Sequence, residues 1–128
     1  KVIDKVDSLI KETLGFKKLR IVEYKKAIDL FINKKEDAIE NVIPTVLPNW
    51  DHSPRSGNNA WIVHNSTPEL FKKHVSDALD CIQDKPDERK IIFLKSWNEW
   101  AEGNYMEPDL KFGKGYINAL KDMIFNKE

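Results

Sequence analysis

Short apolar runs alternate with segments of helical periodicity along this chain, and this alternation limits the fold more than any other feature of the sequence. The apolar runs that predict strands lie at 42–47, 60–63 and 90–95. The segments with apolar residues at helical spacing lie at 1–14, 23–33, 68–85 and 112–126. Strands that alternate with helices in this way are typical of βα units around a parallel sheet. The sequence therefore predicts an α/β fold with short parallel strands and amphipathic helices.

The helix predicted from Pro68 onward is the best-defined element of the chain. Ser66 or Thr67 can cap its N-terminus, and Pro68 suits the first helical position because no backbone N–H is needed there. Its apolar stripe includes Cys81, which we interpret as a small core residue and not as a nucleophile. The consecutive charges at 34–37 predict a solvated surface instead.

A polar and aromatic cluster follows the last apolar run. Residues 97–108 hold three glutamates, two tryptophans and a tyrosine, directly after the run at 91–94, which predicts a buried strand. The carboxyl end of a strand is where α/β folds bind ligands. Tryptophan faces suit the apolar faces of sugar rings, whereas carboxylates and amides suit their hydroxyls. We therefore predict a carbohydrate site with the substrate-binding residues Trp97, Asn98, Trp100, Tyr105 and Glu107.

The spacing of Glu99 and Glu102 indicates a catalytic pair. Residues three apart point to opposite faces of a strand, but they share one face of a helical turn, with Cβ atoms roughly 5–6 Å apart. Gly103 then gives the backbone freedom to leave such a turn. Two cooperating carboxyl groups are the minimum equipment for making or cleaving a glycosidic bond. The alternative is an ordinary corner in which acidic side chains favour a helix N-terminus.

The segment 49–59 predicts a long loop after the strand at 42–47, because it contains a proline, a glycine and asparagines. The substrate-binding candidates Trp50, Asp51 and Arg55 would then lie on the same rim as Glu99. Arg55 can hold an acidic or phosphorylated sugar through paired hydrogen bonds, while Asp51 can bind hydroxyl groups. The alternative is a structural Asp51–Arg55 ion pair that fixes the loop.

A family resemblance rests on these two segments. Residues 98–109 read NEWAEGNYMEPD, which resembles the signature of WbsX-like proteins, a family of glycosyltransferases of cell-surface polysaccharide synthesis. The same string is similar to the NEW-x-EG-x-x-x-EP stretch of the related endo-α-mannosidase family of glycoside hydrolases. Residues 44–55, PTVLPNWDHSPR, resemble that family's P-x-x-x-P-x-WDN-(S/T)PR segment, and residues 67–69 open the next helix as they do there. His52 stands where Asn is usual, and Ala101 where the hydrolases have His.

The resemblance covers about residues 20–126 and implies a (β/α)8 barrel of the TIM type. A complete barrel takes roughly 250 residues, and this chain has 128. We therefore expect the C-terminal part of one glycan-active barrel, with a helical region over about 1–40 and the last βα units over 42–128. We expect this piece to be inactive by itself.

The resemblance also implies roles for the two glutamates. By analogy with the hydrolases, Glu102 is the general acid/base at the glycosidic oxygen, and Glu99 deprotonates the neighbouring 2-hydroxyl. This division of labour needs one protonated and one ionised carboxyl group. Glycosyl transfer and glycosidic cleavage both stay open, and a non-catalytic carbohydrate-binding domain or inactive barrel fragment is the alternative from another class.

Composition excludes several other classes of function. Lys+Arg and Asp+Glu are both 21, so no basic excess drives nucleic-acid binding. No apolar run approaches the roughly 18 residues of a membrane span. Neither the lone cysteine nor the spacing of His52, His64 and His74 predicts a metal site, and we expect no cofactor. We expect a cytoplasmic protein, either free or peripheral at the inner face of the membrane, that acts on an oligosaccharide or polysaccharide. Open sheet edges of a barrel fragment predict self-association.

Overall fold

The computed structural model describes residues 19–125, so the helix predicted over 1–14 lies outside the described residues. The helices and strands of this range follow one another in the order β1 (Arg20–Glu23), α1 (Tyr24–Phe31), β2 (Thr45–Val46), β3 (Trp50–Asp51), α2 (Ser53–Ser56), β4 (Trp61–His64), α3 (Pro68–Ile82), β5 (Phe93–Leu94), β6 (Asn98–Glu99), β7 (Asn104–Tyr105) and α4 (Gly115–Phe125). Single turns of 3₁₀ helix lie at Gly57–Asn59, Asp87–Arg89 and Trp100–Glu102. The fold is mixed α/β, as predicted.

The strands form three small sheets. β1 and β4 run parallel, and β3 pairs antiparallel with β4. β2 and β5 also run parallel, with Val46 opposite Leu94, so their carboxyl ends lie at the same edge. β6 and β7 form an antiparallel hairpin. The α/β class is confirmed, whereas closure into a (β/α)8 barrel and self-association through open edges stay predictions.

Helix α3 organises the core because it packs against α4 and α1. Thr67 Oγ1 accepts a hydrogen bond from the Leu70 N–H at 3.3 Å, which confirms the predicted cap. The apolar face of the helix, with Phe71 and Val75, packs around Val46 of β2. Cys81 is buried in the same cluster, and burial raises the pKa of its thiol. A buried thiol held in its neutral form behaves as a core residue, as predicted.

Three local predictions differ from the structure. Asp37 is buried and accepts a hydrogen bond from the Asn33 N–H at 2.7 Å, so only its neighbours Lys34, Lys35 and Glu36 form the expected exposed surface. The predicted long loop over 49–59 contains β3, α2 and a 3₁₀ turn, because short local hydrogen bonds organise it. The predicted buried strand at 91–94 is buried on one face only, since Phe93 is 57% exposed while Leu94 packs against the core.

A fully buried histidine, His74, belongs to α3 and faces α1. The His74 ring stacks on Phe31 with centroids 6.0 Å apart, and its Nδ1 lies 3.3 Å from the hydroxyl of Tyr24. The same Tyr24 hydroxyl donates to the backbone oxygen of Leu47, just after β2. His74 Nε2 is buried with no hydrogen-bond partner among the described residues. Burial lowers the pKa of His74 to about 4, so the ring is neutral at pH 7.

This buried ring makes stability depend on pH in a defined direction. An unfolded histidine has a pKa of about 6.5, whereas the folded value is about 4. The unfolded state therefore binds more protons between these values, and the free energy of unfolding falls as the pH drops from 6.5 to 4. The whole difference between the two pKa values lowers the free energy of unfolding by about 3 kcal/mol.

Urea unfolding at successive pH values measures how the free energy of unfolding depends on pH. His74→Phe should flatten this dependence, while the control His64→Asn, at an exposed position, should not. Equal slopes for the wild type and His74→Phe would contradict the assignment.

Candidate functional site

The candidate site lies where β5 ends and the β6–β7 hairpin begins. β5 is followed by Lys95, Ser96 and Trp97, and the hairpin places Asn98 opposite Tyr105. A turn of 3₁₀ helix, Trp100–Glu102, connects its strands. Gly103 then adopts the left-handed conformation with φ 50°, and a Cβ there would lie 2.9 Å from Asp51 Cβ. The predicted turn and the conformational role of Gly103 are therefore both present, and the tight contact packs the hairpin on β3.

Arg55 joins the two candidate catalytic glutamates. Its Nη1 lies 2.9 Å from Glu102 Oε1, and its Nη2 lies 3.5 Å from Glu99 Oε1. The Glu102 side chain is only 12% exposed, while that of Glu99 is 39% exposed. The turn between the two residues puts both carboxylates on the same side as α2, which carries Arg55. The structure thus brings Glu99 and Glu102 to one guanidinium, which donates a hydrogen bond to Glu102 and forms a longer ion pair with Glu99.

Two further cationic or titratable groups surround Glu102, and sequence reasoning did not assign either of them to the site. Lys95 Nζ lies 3.6 Å from Glu102 Oε2 and 4.5 Å from the centre of the Trp50 ring. His52 Nε2 lies 3.5 Å from Glu102 Oε1. The position of Lys95 directly at the strand end is a usable sequence signal, because side chains there reach the rim. Glu102 is consequently the centre of an ion cluster with Arg55, Lys95 and His52.

The three residues of the upstream loop that were predicted to bind substrate each make different contacts within the protein. Asp51 Oδ1 accepts a hydrogen bond from the Ser53 N–H at 2.9 Å, which starts α2. Within residues 19–125 the ion pairs of Arg55 are with Glu99 and Glu102, so the predicted alternative of an Asp51–Arg55 pair is not formed. Trp50 is half-buried under Lys95. The loop therefore contacts the hairpin through Arg55, which binds Glu99 and Glu102.

Exposed aromatic rings lie in the same segment of the chain as the two glutamates. Trp97 and Trp100 are 53% and 54% exposed. Trp100 stacks on Tyr105 with centroids 4.5 Å apart and an interplanar angle of 18°. The Tyr105 hydroxyl donates to Asp109 at 3.0 Å; burial, with Asp109 as a second cause, raises the pKa of Tyr105 to about 12. The two exposed tryptophans offer flat apolar faces to solvent, which suit the apolar faces of sugar rings.

The remaining two predicted residues lie at the base and exit of the hairpin. Asn98 Oδ1 accepts from the N–H groups of Met106 and Glu107 at 3.4 and 3.3 Å. Asn98 is therefore turned toward its own backbone and shapes the exit of the hairpin. The Glu107 side chain is exposed. Both lie within the predicted segment, and their role in binding stays a prediction.

Two asparagines that sequence reasoning missed hold the hairpin in place. Asn104 is fully buried, and its Oδ1 accepts from the N–H and hydroxyl of Ser96. Its Nδ2 donates to the carbonyls of Asn49 and Lys95 at 2.5 and 3.1 Å. Asn49 in turn exchanges two hydrogen bonds with the Tyr105 backbone, at 2.9 and 3.2 Å. These bonds connect the ends of β2 and β5 to the hairpin, and so fix Lys95 beside Glu102.

The described residues contain neither a metal-ligating group nor a membrane-spanning helix. In the range 19–125, no group of three or more histidine, cysteine or carboxylate side chains is placed to hold a metal ion. No helix in the same range has the length and hydropathy needed to cross a membrane.

The fold is α/β, and Glu99 and Glu102 meet one guanidinium in the hairpin that follows the parallel strand β5. The chain belongs to the glycosyltransferase WbsX family, whose model matches residues 1–120. The predicted family is therefore confirmed. No solved structure matches the chain significantly.

Two curated relatives come from Xanthomonas campestris pathovar campestris, strains B100 and ATCC 33913, and each is described as uncharacterized protein WxcX. Each is 28% identical to this chain over 82 residues, or 63% of the chain. The matched region is 12% of the length of these relatives.

Proposed function

We propose that this chain carries the acid–base site of an enzyme that makes or cleaves glycosidic bonds in cell-surface polysaccharide or lipopolysaccharide metabolism. The family description supports the carbohydrate-active role. The observation that carries the proposal is the meeting of Glu99 and Glu102 at one guanidinium, in a segment that also exposes two tryptophans. A (β/α)8 barrel, to which this chain contributes the last βα units, is the proposed frame for the site. The proposed location is the cytoplasm or the inner face of the membrane.

The two glutamates have different proposed roles. Glu102 is the general acid/base at the glycosidic oxygen, and Glu99 assists by deprotonating the neighbouring 2-hydroxyl. Glu102 is the less exposed of the two carboxylates, and it is the one that Lys95 and His52 also approach. Arg55 occupies the space between the carboxylates, so a sugar that reaches both must replace part of its contacts. The Arg55 side chain is 53% exposed and can rotate outward.

The proposed sugar-binding surface consists of aromatic and polar groups around this pair. Stacking on Trp97, Trp100 and Tyr105 would orient the ring. Hydrogen bonds to the sugar hydroxyls would come from Asp51, Asn98 and Glu107, and Trp50 and Arg55 complete the proposed set of substrate contacts.

A non-catalytic carbohydrate-binding domain is the second candidate, and one observation favours it. Arg55 and Lys95 together neutralise the two glutamates, and such a cluster can serve the fold alone while the exposed tryptophans bind sugar. The two candidates differ in whether covalent bonds change.

One experiment separates the two candidates. The full-length protein is incubated with defined α-linked oligosaccharides, with and without acceptor sugars, and the products are identified by mass. Shortened oligosaccharides indicate cleavage, and extended acceptors indicate transfer. Binding of the oligosaccharides without any new product would favour the binding domain and contradict the enzyme.

Replacing Trp100 by alanine tests the stacking surface. We expect the affinity for oligosaccharide to fall by about tenfold, which corresponds to about 1.4 kcal/mol. The melting temperature should change by a few degrees at most, because Trp100 is 54% exposed and not part of the core. Calorimetric binding and thermal melting of the full-length protein measure the two effects. Trp61, which is 47% exposed on β4, gives the matched control. Unchanged affinity, or a large loss of stability, would show that Trp100 does not bind sugar.

A further inference from the structure

His52 lies between β3 and α2, and its ring is held on two sides. Ser56 Oγ, one helical turn further along the chain, lies 2.9 Å from His52 Nδ1 and 3.5 Å from Nε2. The imidazole also packs on the Trp50 ring, with centroids 5.9 Å apart. Nε2 lies 3.5 Å from Glu102 Oε1 as well. The distance is slightly longer than a hydrogen bond, and a movement of about half an ångström would close it.

The Ser56 hydroxyl can hold the ring in either charge state. A hydroxyl both donates and accepts, whereas each imidazole nitrogen does only one at a time. When the imidazole is neutral with its proton on Nε2, the Ser56 hydroxyl donates to Nδ1. When the imidazole is protonated, Nδ1–H donates to Ser56 Oγ. The Nε2–H can therefore point at Glu102 before and after His52 takes up a proton.

His52 is also the group beside Glu102 whose chemistry suits proton transfer. The charged groups around it are Asp51 on β3, Arg55 on α2, Lys95 across the Trp50 ring, and Glu99 and Glu102 on the hairpin. A guanidinium does not release its proton in proteins, and an ammonium group has donors but no acceptor. An imidazole has two ring nitrogens, so it can accept a proton at one and donate a proton from the other.

The exposure of the two side chains also favours proton exchange through His52. The His52 side chain is 27% exposed and that of Glu102 is 12% exposed, so solvent reaches the imidazole more readily than the carboxylate. A general acid must recover its proton in every catalytic cycle, and Glu102 is enclosed by Arg55, Lys95 and His52.

We infer that His52 is a positioning residue through which Glu102 exchanges its proton with solvent, with Ser56 orienting the ring. The inference rests on the proposed role of Glu102 as general acid/base. In the reprotonation step, the Nε2–H bond of the imidazolium breaks as the Oε1–H bond of Glu102 forms. The neutral imidazole then regains a proton at Nε2 from a hydronium ion or buffer acid in the solvent, which is left as water or as the conjugate base, so charge and protons balance. In the base direction the same proton travels from Glu102 to His52.

Three variants of the full-length protein test this inference. His52→Gln keeps a polar group near the position of Nε2 but cannot titrate. His52→Ala removes the ring and leaves space for free imidazole. His64→Gln, at an exposed position on β4, is the matched control. Glu102→Gln is measured alongside, because it tests the proposed function itself. The readouts are kcat and KM on the oligosaccharide that the wild type processes, the pH profile of kcat, and the melting temperature.

The expected result is a kcat lower by about tenfold or more in His52→Gln, with KM within about twofold of the wild type, because a proton-transfer partner is lost but substrate contacts are kept. The pH profile of kcat should change shape in this variant and not in His64→Gln. Added imidazole should raise the turnover of His52→Ala, an effect that a purely structural role would not produce.

Other outcomes overturn the inference in distinguishable ways. If Glu102→Gln is inactive while His52→Gln keeps the wild-type kcat and pH profile, the proposed function stands and the role of His52 is wrong. The same conclusion follows if imidazole has no effect on an inactive His52→Ala that melts like the wild type. If the wild type processes no oligosaccharide, or if Glu102→Gln keeps full activity, the proposed function fails and the inference fails with it.

Discussion

Replacing Glu102 by glutamine in the full-length protein should reduce turnover by about 10²–10⁴-fold, the usual contribution of general acid–base assistance. Glutamine keeps the size and hydrogen-bonding capacity of the side chain, but it has no ionisable proton to deliver. The amide oxygen can still accept from Arg55 Nη1, which lies 2.9 Å from Glu102 Oε1, so the loop should stay in place. Binding of the oligosaccharide should change little. Steady-state kinetics and binding calorimetry measure the two quantities separately.

The control for this substitution is Glu88→Gln, because Glu88 is exposed and lies in the 3₁₀ turn before β5, outside the site. Its turnover should equal that of the wild type. Wild-type turnover in Glu102→Gln would contradict the general-acid role directly. A loss of turnover accompanied by a fall in melting temperature would instead assign the carboxylate to the stability of the ion cluster.

Replacing Asn104 by aspartate should destabilise the fold by more than about 3 kcal/mol, since it places a charge at a buried site and removes two donors. Asn104 is fully buried, and its Nδ2 donates to the Asn49 and Lys95 carbonyls. A carboxylate oxygen in that position would face both carbonyl oxygens. The Oδ1 bonds from Ser96 do not offset this repulsion. Urea unfolding of the wild type and the variant gives the difference in the free energy of unfolding.

Asn118→Asp is the matched control, because Asn118 is exposed on α4. The same chemical change there should alter the free energy of unfolding by no more than about 0.5 kcal/mol. Equal effects at the two positions would mean that Asn104 does not connect the strand ends to the hairpin.

The parts of the fold that could be predicted depend on local sequence. The helix from Pro68 begins where Thr67 can cap it, and its apolar spacing places Cys81 in the core. The turn between Glu99 and Glu102 follows from their spacing and from Gly103, all within five residues. These local predictions agree with the structure because neighbouring residues alone determine a helix start or a turn.

The parts that could not be predicted depend on residues far apart in the chain. Arg55 and Glu102 are 47 positions apart, and nothing in either segment indicates that the guanidinium bridges both glutamates. Asn104 and Asn49 are 55 positions apart, and an asparagine in a polar segment gives no sign that it will be buried. The elements within 49–59 were missed because each is only two to four residues long, too short for periodicity to show.

The central claim is that Glu99 and Glu102 act as one catalytic pair, and a kinetic comparison of Glu99→Gln, Glu102→Gln and the double variant tests it most directly. The measurement is the turnover of a defined α-linked oligosaccharide by the full-length protein. Residues that act as a unit give non-additive losses. The double variant should therefore turn over no more than a few-fold slower than the slower single variant. A double variant slowed by the product of the two single effects, or either single variant at the wild-type rate, would contradict the pair.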